Sequence, residues 1–198
     1  MAFRIFIDGK EYIGREAAFQ DIFEDILKKF GDDKKVIRKI IVDKKNEITD
    51  FTKVYELNTE KIEIIDIITG TYRELCVVTI EEMLSYIVKL EKGYDSIVEL
   101  VENEKISEAM TILNSAIEGI EWMNTAFGKI LNIMSFELTE KEEEFLKVYS
   151  EHLTELVTGL ESQDYVTVKD VILYDLKEDL GRWREILEKY LGEGQKIQ

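Results

Sequence analysis

An α+β protein is predicted: a small strand-bearing domain over residues 1–76, then an acidic all-α bundle of about four antiparallel helices over residues 77–198. Three observations predict it. Before residue 76, apolar residues alternate in short runs such as Phe3, Ile5 and Ile7, the period of a strand. After it they recur at steps of three and four, the period of a helix. Charge divides at the same place. Residues 1–76 hold 14 Lys/Arg and 16 Asp/Glu, a net of −2, and residues 77–198 hold 12 and 26, a net of −14.

Taken in order, residues 3–8 form a first strand with Phe3, Ile5 and Ile7 on one side. Asp8-Gly9 is a tight hairpin signal, and Glu11-Tyr12-Ile13 returns as a second strand. Phe19, Ile22, Phe23, Ile26, Leu27 and Phe30 then mark one face of a helix, with Gly31 where a left-handed cap would end it. Val36 to Val42 is strand-like, Asp43 to Asn46 is a turn, and Glu47 to Val54 reads as a short strand and a loop. Lys61 to Thr69 carries the strongest strand pattern of the chain.

The remainder is helical. Thr79 with Glu82 reads as a capping box, and Ile80, Met83, Leu84, Ile87 and Val88 form an apolar stripe. Lys92-Gly93 is a place for that helix to end or bend. One long helix follows from Ile106 to Met134, on the order of 40 Å at about 1.5 Å per residue. It carries two seams. One runs Ile106, Met110, Leu113, Ile117, Ile120, Asn124, Phe127, Leu131, Met134. The other runs Ala109, Ile112, Ala116, Gly119, Met123, Ala126, Ile130, Ile133. Thr139 with Glu142 caps the next helix, marked by Leu146, Tyr149, Leu153, Leu156 and Leu160. Asp164 is an N-cap for a last helix carrying Leu173, Leu176, Leu180, Trp183, Leu187 and Tyr190, which Gly192 and Gly194 end before a fraying tail to Gln198.

The order hairpin, helix, strand, turn, strand over residues 3–70 resembles the β-grasp fold of ubiquitin-like domains. The resemblance rests on element order and implies a fold, not an activity. The chain continues past this point without a free Gly-Gly end, which does not support a conjugated tag. The last helix, with Asp164-Tyr165-Val166, Tyr174-Asp175-Leu176 and Trp183, resembles the ends of uncharacterised bacterial proteins and implies no activity.

Composition excludes several classes. A net charge of −16 opposes binding to nucleic-acid phosphates, which calls for Lys and Arg. No apolar run is long enough for a membrane span. The start of the chain is too short and too quickly charged for a signal peptide, and one cysteine, Cys76, makes no internal disulfide. A cytoplasmic location is the expectation. With one Cys and one His, no Cys/His zinc site forms, and His152 alone cannot supply the paired Glu-x-x-His motifs of a di-iron bundle. No metal, cofactor or catalytic set is therefore expected. Gly9, Gly14, Gly31 and Gly70 are single punctuators, not a phosphate loop.

Individual residues carry bland and sharp readings side by side. Cys76, in the run Leu75 to Val78, reads as a buried inert thiol. His152 reads as a boundary residue beside Leu153 and Leu156, with an orphan base as the sharper reading. Glu140 to Glu144 start a helix, where the dipole favours negative charge. Asp175 and Asp179, one turn apart near Asp170, read as a solvated face, with cation binding as the sharper role. Asn124 reads as a register-fixing polar residue in the main seam of the long helix, with ligand contact as the sharper role. Trp122 sits in the polar stripe with Glu118 and Glu121, and either anchors a partner or covers a neighbouring domain. Lys34, Lys35, Arg38 and Lys39 form a basic cluster, with Lys44 and Lys45 in the next turn. It is either a solvated strand edge or a dock for an acidic partner.

These residues make a non-enzymatic protein-binding or adaptor protein of the bacterial cytoplasm the first expectation, with a protein partner. Trp122, Glu118, Glu121, Asn124, Lys34, Lys35, Arg38 and Lys39 are its candidate contacts. One alternative is a chaperone for an exported substrate, since an acidic bundle with aromatic-bearing grooves resembles the style of flagellar and type III secretion chaperones. The other is an enzyme whose carboxylates, Asp175 and Asp179, act with a divalent metal.

Overall fold

The computed structural model describes residues 3–12, 19–32, 35–58 and 61–196. Ile13, Gly14, Lys34 and Gln198, all named above, lie outside them. The chain divides into two compact units, Met1–Leu75 and Cys76–Gln198.

In the first unit the initial alternation makes β1 (Arg4–Ile7). Asp8 and Gly9, at φ 49° and 77°, turn it into β2 (Lys10–Glu11). Two left-handed residues in a two-residue loop match the twist of a hairpin, which is why Asp-Gly serves there. Helix α1 (Phe19–Asp32) follows and runs through Gly31, which is therefore not its cap. It buries Phe19, Ile22, Phe23, Ile26 and Phe30, while Leu27, expected on that face, is 42% exposed. Strands β3 (Lys35–Val42) and β4 (Asn46–Ile48) flank a turn with Asp43 and Lys44 at positive φ, and a 3-10 segment spans Phe51–Glu56. Strand β5 (Ile64–Thr71) completes the sheet in the order β2-β1-β5-β3-β4.

β5 lies parallel to β1 (Ile5 opposite Ile65) and antiparallel to β3 (Ile40 opposite Ile67). Its position between two strands explains why its sequence is the most continuously apolar in the chain. Ile5, Ile40, Val42, Ile65 and Ile67 meet the α1 face to form one core. A bulge between Ile37 and Lys39 shifts the phase of β3, so that Ile37, Ile40 and Val42 all reach that core.

The second unit is helical. Helix α2 (Tyr72–Glu102) starts directly after β5. Its cap is Thr71, not Thr79: Glu74 N donates to Thr71 Oγ1 (3.1 Å) and Thr71 N donates to Glu74 Oε2 (2.7 Å). Two Thr-x-x-Glu boxes, Thr71–Glu74 and Thr79–Glu82, lie near the start of α2, and the first is used because β5 ends there. Gly93 neither ends nor breaks α2. Helix α3 (Ile106–Met134) has the bounds expected for the long central helix and ends at Ser135 in the left-handed region. In α4 (Glu140–Glu161) the Thr139–Glu142 capping box forms in both directions. The expected last helix is divided into α5 (Tyr165–Asp170), a π-helical stretch (Val171–Leu176) and α6 (Lys177–Lys196). Asp164 caps α5 through Thr167 N.

Packing follows from small residues and paired side chains. Tyr86 meets Gly119 and, further along α2, Gly93 meets Ile112, so α3 runs antiparallel to α2. Likewise Glu142 meets Lys189 and His152 meets Asp179, so α6 runs back along α4. Gly194 does not end α6. A Cβ there would come within 3.1 Å of Val77 and 3.2 Å of Met134, so this glycine permits close approach of α6 to α2 and α3.

The buried face of α3 corrects the two expected seams. The buried residues are Ala109, Leu113, Ala116, Ile120, Met123, Phe127, Ile130 and Met134. They take alternate members of each expected seam and step by four and three throughout. Asn124 is exposed and Ile133 is 46% exposed. The two adjacent seams overlap at heptad spacing, and the partner helices bury the line between them. Asn124 is therefore not a register-fixing core residue.

Candidate functional site

Trp122 is 40% exposed and belongs to a groove between α2 and α3. Its ring stands edge-on to Tyr86 (centroids 6.0 Å apart, planes at 79°). The Tyr86 hydroxyl crosses α3 and donates to the Ser115 carbonyl at 3.3 Å. Gly119 makes this crossing possible, because a Cβ there would fall within the Tyr86 hydroxyl and ring. The groove, about 400 Å³, continues along α2 past Val78, Glu81, Glu82 and Ser85 to Lys89. Burial raises the Tyr86 pKa, and the nearby Glu118 charge adds to the effect.

Gly119→Ala tests this construction. Alanine would gain about 1 kcal/mol of helix propensity, but it must displace the Tyr86 ring, and the overpacking is expected to cost about 1–3 kcal/mol. A net loss in urea unfolding, with Trp122 emission shifted to the red, is the expected outcome. A more stable variant with unchanged emission would show that Tyr86 is not seated against Gly119.

The other anticipated residues are scattered. Glu118 and Glu121 are exposed on α3 near Trp122. In the first unit Lys35 pairs with Asp8 (3.8 Å) and Lys39 with Glu47 (3.0 Å). Arg38 lies over Gly70 beside Glu74, where a Cβ on Gly70 would sit 2.7 Å from its Cδ. β3 is flanked by β5 along its length, but β4 pairs only with Ile40–Val42, so Lys35, Arg38 and Lys39 lie on the part of β3 that β4 leaves uncovered. Lys34 lies outside the described residues.

A second constellation unites residues that read separately in the sequence. His152 on α4 meets Asp179 on α6: its Nδ1–H donates to Asp179 Oδ2 at 2.8 Å, and its Nε2 lies 3.9 Å from Asp175 Oδ1. A carboxylate only accepts, which assigns the proton to Nδ1. Asp179 is 3% exposed, so the solvated-face reading of Asp175 and Asp179 fails for Asp179. The π-helical turn just before α6 carries Asp175, and π-turns often mark functional sites. Burial alone would lower the His152 pKa, but the Asp179 hydrogen bond and the charges of Asp179, Asp175 and Glu155 raise it above its ordinary value. Burial raises the Asp179 pKa against the opposing pull of His152 and Arg182. Both groups thus hold protons more tightly in the fold than in the unfolded chain.

Behind the pair lies an aromatic cluster. Phe127, Phe145 and Tyr149 each present a ring edge-on to Trp183, at centroid distances of 5.1, 5.8 and 5.6 Å. The Trp183 indole N–H is buried without an acceptor at hydrogen-bond geometry among the described residues. It is still close enough to Tyr149 to oppose, weakly, the upward shift that burial and the Asp179 charge give that phenol.

The capping glutamate Glu142 is also more than a helix-start charge. It is 8% exposed and accepts from Thr139 N (2.8 Å), Lys189 Nζ (2.8 Å) and the Tyr190 hydroxyl (3.1 Å). Burial opposes its ionisation, but the Lys189, Thr139 and Tyr190 donors prevail and hold its pKa below the ordinary range. A depression of about 480 Å³ opens here, between α4 and α6, and is larger than the Trp122 groove. Its central groups already satisfy one another, and Arg182 pairs with Glu178 at 2.9 Å. It presents less unsatisfied chemistry than the smaller groove.

Among the described residues no group of three or more His, Cys, Asp and Glu is placed to hold a metal ion. No helix there is long and apolar enough to cross a membrane. Cys76 is buried. The fold and these sites define an α+β protein whose helical unit carries a part-buried histidine–carboxylate pair and, elsewhere, an open aromatic groove. The chain belongs to the family described as Domain of unknown function (DUF8042), whose model matches residues 78–186 and so covers much of the helical unit. Comparison with the curated proteins and with the solved structures finds no match.

Proposed function

We propose that this chain is a non-enzymatic protein-binding or adaptor protein of the bacterial cytoplasm, and that the α2–α3 groove is its binding surface. One observation carries the reading: Trp122 is 40% exposed yet held in place by Tyr86, the arrangement of an anchor rather than of a core residue. The single buried cysteine suits a reducing compartment. We read the first unit as β-grasp-like, a reading supported by the order β2-β1-β5-β3-β4, the parallel β1–β5 pair and α1 between β2 and β3. We read the helical unit as four antiparallel rods, with α5, the π-turn and α6 as the fourth. A chaperone for an exported substrate is a special case of the same reading.

The test is capture from a native-host lysate on immobilised full-length protein, with Trp122→Ala in parallel. Proteins retained by the parent and lost from the variant are expected. Identical retained sets would count against the groove.

The metal-dependent enzyme is favoured only by the proximity of Asp175 and Asp179 to His152. Asp179 is already engaged by His152, so Mg²⁺ or Mn²⁺ is expected to leave the melting temperature unchanged. A saturable rise would favour the enzyme, since a ligand specific to the fold stabilises it by mass action.

A further inference from the structure

We propose that the α2–α3 groove takes a basic amphipathic segment of a partner protein, with an apolar side chain against Trp122 and Tyr86 and Lys or Arg side chains on Glu81, Glu82 and Glu118. This inference rests on the reading of the groove as a docking surface and adds the chemistry of the partner.

Three observations define that chemistry. The first is the anchor. The Tyr86 hydroxyl on the Ser115 carbonyl and the glycine at 119 hold the Trp122–Tyr86 pair in place before any partner arrives. Binding then loses little side-chain freedom at this point. The second is the state of the acids. Glu81, Glu82, Glu118 and Glu121 are all exposed, and among the described residues none lies within ion-pairing distance of a cation. Further along the same helix three acids are matched, Glu91 with Arg184 (2.8 Å), Asp95 with Lys177 and Glu102 with Lys169 (3.6 Å), while Glu99 has no such partner among the described residues. Glu81 and Glu82 thus stand unmatched in the lining of the groove that holds the exposed tryptophan, with Lys89 as the cation at its far end. The third is the field. A net of −14 over residues 77–198 repels an acidic peptide, a nucleic-acid backbone or an anionic lipid surface, and attracts a basic segment.

The experiment uses the full chain and three synthetic helical peptides. One has lysines on its polar face and leucines on its apolar face. The second has glutamate for lysine, and the third has serine for leucine. The readout is acrylamide quenching and emission of Trp122, since Trp183 is 1% exposed and contributes little to the quenchable signal. The Lys/Leu peptide is expected to shift the emission to the blue and protect Trp122. That binding should fall at least tenfold in Glu81→Gln/Glu82→Gln/Glu118→Gln, fall similarly on raising the salt, and vanish from Trp122→Ala as followed by peptide anisotropy. A control, Glu140→Gln/Glu143→Gln/Glu144→Gln, should bind as the parent does. Equal loss in that control would reduce the effect to general charge and overturn the proposal, as would equal binding of the serine peptide. Preferential binding of the glutamate peptide with Trp122 protected would overturn the basic partner while leaving the groove as a dock. If no peptide protects Trp122, the proposal falls. If lysate capture is also insensitive to Trp122→Ala, the adaptor reading falls with it.

Discussion

Ile120→Asp is expected to unfold the helical unit, at a cost of more than about 4 kcal/mol, because it places an unpaired carboxylate in an apolar interior. Ile120 is 4% exposed in the buried line of α3, between Ala116 and Met123. Asn124→Ala, one turn away, is expected to stay within about 0.5 kcal/mol, the usual range for a surface change. The contrast matters because the apolar spacing places both residues in the same seam. Urea unfolding of the full-length chain, followed through the near-ultraviolet signal of the Trp183 cluster, measures both. A large loss at Asn124, or a small one at Ile120, would show that the buried face of α3 is not the one described.

The second large effect concerns His152 and Asp179. His152→Ala leaves a carboxylate that is 3% exposed without its hydrogen-bond donor. Removing one member of a buried pair costs on the order of 3 kcal/mol. The pH dependence is the sharper signature. The folded-state pKa of His152 lies above its ordinary value, so between the two the folded chain binds more protons than the unfolded one. Stability from this group is complete below the ordinary histidine pKa of about 6.5 and is lost as pH rises through the folded value. The raised Asp179 pKa acts with the same sign in a lower window, starting near the ordinary carboxylate value of about 3.9. The parent should therefore lose stability as pH rises from about 6 upward, and His152→Gln should lack that slope. A flat parent profile across that window would refute the pair as described. Glu142 runs the other way: its lowered pKa makes its contribution present at neutral pH and lost on acidification.

The two sites differ in how far local sequence specifies them. Trp122 stood out because a tryptophan among Glu118, Glu121 and Thr125 violates the helical pattern, and a violation is visible locally. Its partner Tyr86 was not visible as such. It lies 36 positions away in sequence on another helix, and only the α2–α3 register brings it to Gly119. On sequence His152 reads as a boundary residue and Asp179 as a solvated one, for the same reason. Each has ordinary neighbours on its own helix, and the pair exists only where α4 and α6 run side by side. A clue was present in Asp175 and Asp179, like charges one turn apart, an arrangement that repels unless a cation or proton intervenes. The dispersal of the basic cluster has a similar origin. A bulge at Ile37/Lys39 changes which face each residue of β3 presents, and no strand periodicity anticipates a bulge.

What the amino-acid order settled alone is local in its physics. The Asp8-Gly9 hairpin, the bounds of α3, the Thr139–Glu142 box and the Asp164 cap each depend on φ preferences, apolar period or hydrogen bonds within a few residues. The passage from strands to helices is legible for the same reason, since periods of two and of 3.6 cannot share one stretch. Tertiary packing decided wherever two local solutions were nearly equal in energy. Thr71 rather than Thr79 caps α2 because β5 delivers the chain there. Gly194 lies inside a helix instead of ending it, and Val77 and Met134 pack closely against the place where its Cβ would stand. The heptad line through Ile120, and not the one through Asn124, is buried because burial belongs to a pair of surfaces, and one helix carries only one of them.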